Sequence, residues 1–405
     1  MNNIIHTDIC IIGAGMVGLS LANQISERYP NLSITIIEKE KKIGKHTSGR
    51  NSGVLHAGIY YEPGSIKAKV CVEGARRLKN WCKENNISIL ECGKVITPQK
   101  IELDNQIDKL YKRGILNGAK VEIIDENQFN SIAPDGYTSS GRALWSPETS
   151  VVNPMEVINK LKDILSKKGV KFIFFEQDWT KSKNNKKINL SNKAYLNYDF
   201  LFNCAGLYSD KVAKRFGVGK EFTMLPFKGS YWELKENTPL NLSTNLYPVP
   251  DLEFPFLGVH ATPGFGGKIY LGPTATPAFG RENYYGLRNL DINTSLSFAF
   301  HMTSQFFISK KMRNYIFNQA FEWLPHKFID AARLILPKVK LDYIKKSPKV
   351  GIRPQLYDLT NKTLVEDFLI IETEGSSHII NAISPAFTAS FAFADRIIDN
   401  CSYFK

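Results

Sequence analysis

Four residues near the N-terminus, three glycines and a glutamate, carry the first recognisable chemistry. An apolar run, Asp8-Ile-Cys-Ile-Ile12, leads into Gly13-Ala-Gly15-Met-Val-Gly18 and Leu19-Ser-Leu-Ala22; a second apolar run, Ser33-Ile-Thr-Ile-Ile37, then ends on Glu38. This is the order strand, glycine turn, helix, strand, carboxylate. Gly13 permits the turn, Gly15 lets backbone amides approach a pyrophosphate, and Gly18 lets helix and strand pack closely. The helix start adds unpaired N–H groups and partial positive charge. Glu38 lies about 20 residues beyond the turn, where a carboxylate grips an adenosine ribose. The pattern predicts a bound dinucleotide.

A second cluster spans residues 47–61, Thr-Ser-Gly-Arg-Asn-Ser-Gly-Val-Leu-His-Ala-Gly-Ile-Tyr-Tyr. Its glycines and hydroxyls suit backbone running along a flat ring system. It also holds His56, a side chain whose ordinary pKa near ~6.5 suits proton transfer. His260 is the rival base. Near the C-terminus, Ser384-Pro385 reads as the capped start of a helix, and a helix N-terminus stabilises an anion placed before it.

The elements that must position these residues follow from periodicity. Residues 67–82 carry apolar side chains at 68, 71, 72, 75, 78 and 82, the spacing of an amphipathic helix. A strand is expected over 94–97 and a helix over 101–117. Asn153 and Pro154 read as the N-cap and first position of another helix. Strands are expected at 170–175, 198–203, 368–372 and 378–383, with a polar hairpin tip at 181–187 and a helix over 385–398. Residues 222–234 and 247–271 carry β-type alternation and aromatics. The expectation is an α/β, two-domain chain. A discontinuous Rossmann-like nucleotide domain takes 1–85, 146–215 and 346–405, and an antiparallel-sheet substrate domain takes 86–145 and 216–345.

Composition narrows the function class. The 405 residues are 43% hydrophobic and 22% charged, ordinary values for a globular chain with a sizeable core. The six cysteines show no paired or CxxC spacing, so neither a disulfide framework nor a metal site is expected, and a reducing, cytoplasmic setting is. The apolar start lacks a preceding basic residue, and the uncharged run 379–394 is too short and too polar to span a bilayer. Net charge is +13, with nine basic against three acidic residues over 310–346, interleaved with Phe306, Phe307, Tyr315, Phe317, Phe321, Trp323 and Phe328. That pattern fits either an ordinary helix with a wet face or peripheral docking through 306–346 on an anionic inner membrane face. No nucleic-acid motif accompanies the charge, and no nucleic-acid partner is expected.

Residues 48–76 carry a resemblance. So do Asn203-Cys-Ala-Gly-Leu-Tyr-Ser-Asp210, Pro226-Phe-Lys-Gly-Ser-Tyr231, Tyr247-Pro-Val-Pro-Asp251 with 254–260, Leu271-Gly-Pro273, Gly351-Ile-Arg353 and 381–390. Over nearly its whole length the chain resembles FAD-dependent oxidoreductases of the D-amino-acid-oxidase superfamily, most closely L-2-hydroxyglutarate dehydrogenases/oxidases. The resemblance implies that Gly13, Gly15, Gly18, Glu38 and Lys39 hold the ADP half of a non-covalent FAD. Thr47, Ser48, Arg50, Asn51, Ser52 and Gly53 then line its pyrophosphate and isoalloxazine, with Ala205 and Gly206 on the returning strand. Pro385, Ala386, Phe387 and Thr388 are the expected backbone donors to the flavin.

By the same resemblance His56 is the first choice of base, taking the hydroxyl proton while hydride passes to flavin N5. A dicarboxylate in a dry cleft needs cations. Arg353 is expected to grip one carboxylate, with Lys228, Tyr60, Tyr61 and Tyr231 completing the site. Lys228 stands where relatives more often have Arg, and Lys lacks the planar fork. The expected reaction is oxidation of a small L-2-hydroxy acid, with quinone or oxygen taking the electrons. The alternatives are an amine or amino-acid oxidase on the same scaffold and a non-catalytic flavoprotein assembly factor.

Overall fold

The computed structural model describes residues 4–182, 186–250, 257–308, 310, 313 and 324–405. Its cofactor layer is an eight-stranded sheet with a parallel centre, running Lys171–Ile173, Ile34–Ile37, Ile4–Ile12, Tyr195–Asn203, Ser376–Asn381. Leu369–Thr373 adds antiparallel to the last of these. Ile9, Ile11, Ile36, Phe200 and Phe202 are buried, as near-continuous apolar strands covered on both faces must be. Helices Met16–Arg28, Ile66–Glu84 and Ala386–Asn400 belong to the same core, where Leu19, Leu78 and Phe393 are fully buried. Each such side chain contributes roughly 1.5–3 kcal/mol by leaving water.

Side chains cap two helix starts, at Asn153 as expected and at Ser65 in addition. The Ser65 hydroxyl accepts from the Ala68 N–H ahead of Ile66–Glu84. The Asn153 carbonyl oxygen accepts from the Met155 N–H ahead of Pro154–Lys167. The third is a correction. Helix Ala386–Asn400 has Pro385, not Ser384, at its N-cap and no side-chain cap, and Ser384 lies against the Tyr61 phenol instead.

The substrate layer is a ten-stranded sheet built around the pair Phe222–Leu234 and Ile344–Asp358. Strands Ile269–Gly272, His260–Pro263 and Asn245–Pro248 follow in order, then Lys94–Thr97, Ala143–Ser146 and Glu122–Ile124. Two features depart from expectation. The boundary placed at residue 346 cuts through strand Ile344–Asp358, so residues 346–358 join the substrate sheet. Within that strand Pro354 stands directly opposite Pro226 on a long antiparallel pair. The sheet is also not purely antiparallel, because Asn245–Pro248 runs parallel to Lys94–Thr97. That parallel pair carries Lys94 into the interior, where it is 0% exposed.

The aromatic and basic stretch 306–346 divides. Residues 314–323, with Tyr315, Phe317, Phe321 and Trp323, lie outside the described residues. Helix Pro325–Arg333 is an ordinary amphipathic element with Phe328, Ile329 and Ala332 buried, so Phe328 belongs to the core. Among the described residues no helix is long and apolar enough to cross a membrane.

Candidate active site

One cavity of about 920 Å³ runs from the cofactor sheet to the substrate sheet. At one end its wall includes Gly13, Gly15, Glu38, Lys39, Thr47, Ser48, Ala205 and Gly206; at the other it includes His56, Tyr231, Tyr247, His260 and Arg353. Its length and its two kinds of wall suit an extended dinucleotide with substrate beyond it.

The nucleotide end is set by close backbone approach. Gly13 has φ +107°, and a Cβ there would stand 2.5 Å from the Cys204 carbonyl oxygen. At Gly18 a Cβ would stand 2.1 Å from the Gly13 oxygen, so Gly18 keeps the turn closed without itself lining the cavity. Helix Met16–Arg28 has Gly15 at its N-cap, no side-chain cap and no acidic residue in its first turn, which leaves its end open to a pyrophosphate. The Ser48 hydroxyl accepts from the Met16 N–H at 2.9 Å and ties the following loop to that helix start. Glu38 accepts from the N–H groups of Ala14 and Glu40, both at 2.9 Å. Burial raises its pKa against those bonds. A 9%-exposed carboxylate on the cavity wall is suited to a ribose diol. These residues fit the ADP half of FAD.

Several other cofactor-side residues shape the loop. Asn51 donates to the carbonyls of Ser48 and Thr47 and accepts from the Gly53 N–H. Arg50 donates to the carbonyls of Lys45 and Val350 and lies 4.1 Å over the Tyr284 ring. Thr47 donates to Ile352 across to the substrate sheet. Gly53 sits behind the wall, not in it. Lys39 donates at 2.5 Å to both Glu40 and Glu282. With His46 these two carboxylates have metal-ligand spacing, but the Lys39 ammonium already bridges them.

At the flavin end the expected donors need one correction. Pro385 has no N–H, and the Ala386 N–H is taken by the Ile383 carbonyl at 2.8 Å. Helix geometry leaves the N–H groups of Phe387 and Thr388 without intrahelical acceptors, and both residues line the cavity. The Thr388 hydroxyl accepts from the His56 N–H and donates to the Val54 carbonyl, so the helix start and the histidine loop are pinned together.

The structure brings both histidines to one chamber. His56 is 8% exposed and His260 5%. Burial first, then the charges of Lys94 and Arg353, lowers each to about 3. For His56, repulsion from a proton on His260 is a further cause. Both are therefore neutral at ordinary pH. His260 bonds the Gly258 carbonyl through Nδ1 at 2.9 Å, and a carbonyl only accepts, so Nδ1 carries the proton and Nε2 keeps its lone pair. Its ring stacks on Tyr247 at 3.8 Å. The His56 Nδ1 is buried without a hydrogen-bond partner among the described residues.

Of the expected substrate residues, Arg353 and Tyr231 line the chamber; Tyr60, Tyr61 and Lys228 do not. Tyr60 and Tyr61 stand behind it, and Lys228 donates to the Asn283 side chain at 2.8 Å. Three lysines escaped the sequence reading. Lys94 is fully buried and pushed down to about 8 by burial. Lys67, 5.8 Å from the Tyr61 ring, and Lys349, 5.3 Å from the Tyr231 ring, are lowered to about 8 for the same reason. The available signal was a charge opening the otherwise uncharged strand Lys94–Thr97.

Comparison with known proteins accords with this geometry. The family model described as FAD dependent oxidoreductase matches residues 8–399. A Caenorhabditis briggsae protein named L-2-hydroxyglutarate dehydrogenase, mitochondrial, is 36% identical over 96% of this chain and 92% of its own. An Indibacter alkaliphilus protein named L-2-hydroxyglutarate dehydrogenase is 33% identical, covering 96% and 98%. The human protein named L-2-hydroxyglutarate dehydrogenase, mitochondrial, is 33% identical, covering 97% and 88%. In fold the chain is similar to an FAD-bound L-alpha-glycerophosphate oxidase from Mycoplasma pneumoniae, with TM-score 0.76, 18% identity and coverage of 97% and 94%. Glycine oxidase from Geobacillus kaustophilus gives TM-score 0.72, 15% identity and coverage of 98% and 94%. The chain belongs to the DAO family of FAD-dependent oxidoreductases.

Proposed function

We propose that this enzyme oxidises L-2-hydroxyglutarate to 2-oxoglutarate. The supporting observation is a pair of neutral, buried imidazoles facing a chamber whose surrounding charges are cationic. Gly13, Gly15, Glu38, Thr47 and Ser48 would hold FAD non-covalently, and the bound flavin would supply the hydride acceptor for C2. Arg353, on the chamber wall, has the fork geometry to hold the carboxylate next to the reacting carbon. An imidazole takes the hydroxyl proton. His56 is the base by its place in the loop pinned to the flavin-facing helix start; His260, with its Nε2 lone pair free of the Gly258 bond, orients the hydroxyl. Tyr231 and Tyr247 close the wall against water, which strengthens every charge interaction inside.

Anaerobic bleaching of the yellow enzyme tests this reading. L-2-hydroxyglutarate should bleach it, and glycine or other amino acids should not. The reverse order would make the enzyme an amine oxidase. His56→Ala should keep its FAD yet bleach at least about 100-fold more slowly, in the range of a lost general base. If His260→Ala alone shows that loss, the two histidines exchange roles.

Electrons then pass to quinone or oxygen in this proposal, and a membrane surface is the proposed place of transfer. The supporting face is helix Ile292–Ile308, one side of which exposes Ile292 (69%), Leu296 (64%), Phe300 (70%) and Phe307 (74%). Lys310 follows, exposed, and no acidic residue occurs between 292 and 321. An apolar stripe beside basic residues suits an anionic bilayer surface.

A further inference from the structure

Lys94 is a buried charge to which the mechanism above assigns no substrate role. It is 0% exposed, and its ammonium has no hydrogen-bond partner among the described residues. It sits 4.7 Å from the Tyr60 ring centre and 5.3 Å from that of Tyr247. Strand Lys94–Thr97 belongs to the substrate sheet, and its parallel pairing with Asn245–Pro248 brings Lys94 beside the Tyr247–His260 stack. The titratable groups facing it are Tyr60 and His56 from the loop, Cys71 from helix Ile66–Glu84, Tyr247 from the neighbouring strand and His260 from the strand beyond. None is a carboxylate among the described residues. An ammonium removed from water without a counter-ion is costly, and the two ring faces offset only part of that cost.

We infer that Lys94 is the positioning residue that makes the chamber select a doubly charged substrate, supplying through the Tyr247–His260 wall the counter-charge to the carboxylate remote from the reacting carbon. This rests on the dicarboxylate reading proposed above and assigns the second charge of that substrate. Arg353 is on the wall and takes the near carboxylate. Lys94 is behind the wall and acts by its field, which a dry, aromatic partition screens weakly. A neutral group at that carbon leaves the cation uncompensated. A second carboxylate compensates it.

The test uses the FAD-loaded enzyme and two substrates that differ in the remote group, L-2-hydroxyglutarate and L-2-hydroxypentanoate. The quantity read is the ratio of their kcat/KM values in anaerobic flavin reduction. Lys94→Met should lower that ratio roughly ten- to a hundred-fold, mostly through KM for the dicarboxylate, with the monocarboxylate little changed. An unchanged ratio overturns the assignment. A role in packing alone slows both substrates alike.

Wild-type enzyme supplies a measurement that needs no variant. Lys94 is charged below about pH 8 and neutral above it, so the ratio should be high at pH 6.5 and fall as pH rises through 8. Lys67 and Lys349 titrate in the same range but remain in the variant, so the part of this fall that Lys94→Met abolishes belongs to Lys94. A wild-type ratio flat from pH 6.5 to 9.5 overturns the assignment even if the variant does not fold. A flavin that no dicarboxylate bleaches sinks the substrate reading and Lys94's role together. Bleaching with an unaltered ratio sinks Lys94's role alone.

Discussion

Replacing Arg281 by Met should lower the thermal midpoint by several degrees, for a reason located in a single buried pair. Arg281 is 6% exposed and Asp210 2%. The guanidinium meets the carboxylate as a fork, Nη1 to Oδ1 at 2.5 Å and Nη2 to Oδ2 at 2.9 Å, and Nη1 also donates to the Leu207 carbonyl. Burial alone would raise the Asp210 pKa; the Arg281 bonds outweigh it and hold the carboxyl below its usual range. Asp210 also accepts from the Met224 N–H, so the pair joins helix Ser209–Arg215, which follows strand Tyr195–Asn203, to the long strand of the substrate sheet.

Removing the cation leaves a buried carboxylate without compensation, which costs about 3–5 kcal/mol. At about 2.1 cal/mol/K of unfolding entropy per residue, 405 residues translate each kcal/mol into about 1.2 °C, hence a drop of about 4–6 °C. The double variant Arg281→Met/Asp210→Leu should recover most of it, because a well-packed apolar pair replaces a buried ion pair at little net cost. Melting followed by flavin fluorescence reads both. A single variant within 1 °C of the parent, or a double variant no better than the single, would refute the argument.

Two further outcomes follow from geometry already given. Gly18→Ala forces a methyl to 2.1 Å from the Gly13 oxygen, so the turn must open; the protein should purify with FAD occupancy reduced by about ten-fold or more, read from the visible-to-280 nm absorbance ratio. Leu296→Asp with Phe300→Asp should abolish sedimentation with vesicles containing anionic lipid while leaving bleaching by substrate intact; unaltered sedimentation would remove helix Ile292–Ile308 from the membrane proposal.

The nucleotide half was legible because its residues answer to local constraints. The φ of Gly13, the 2.1 Å approach at Gly18 and the reach of Glu38 to the Ala14 N–H all lie within one βαβ unit, and each demands one residue type at one spacing. The substrate half depends on strands far apart in sequence. Nothing near Lys94 announces that a parallel partner 150 residues later will bury it, or that Lys228 will turn to Asn283. Strand Ile344–Asp358 crosses the expected boundary at 346 because its partner Phe222–Leu234 lies far earlier in the chain. Ser384 looked like a cap because Ser before Pro commonly is one; the contact with Tyr61, which no spacing rule encodes, takes it away.

The parallel sheet has a consequence for biosynthesis. Its central strand is Ile4–Ile12, its fifth parallel strand is Ser376–Asn381, and helix Ala386–Asn400 supplies both a wall of the cavity and a partner for helix Met16–Arg28. A nascent polypeptide therefore carries an unfinished sheet late into translation, with the edge of Tyr195–Asn203 open until Ser376–Asn381 is made. Flavin capture has to follow synthesis of residues 376–400, and until then the apolar faces of that unfinished sheet are clients for chaperones.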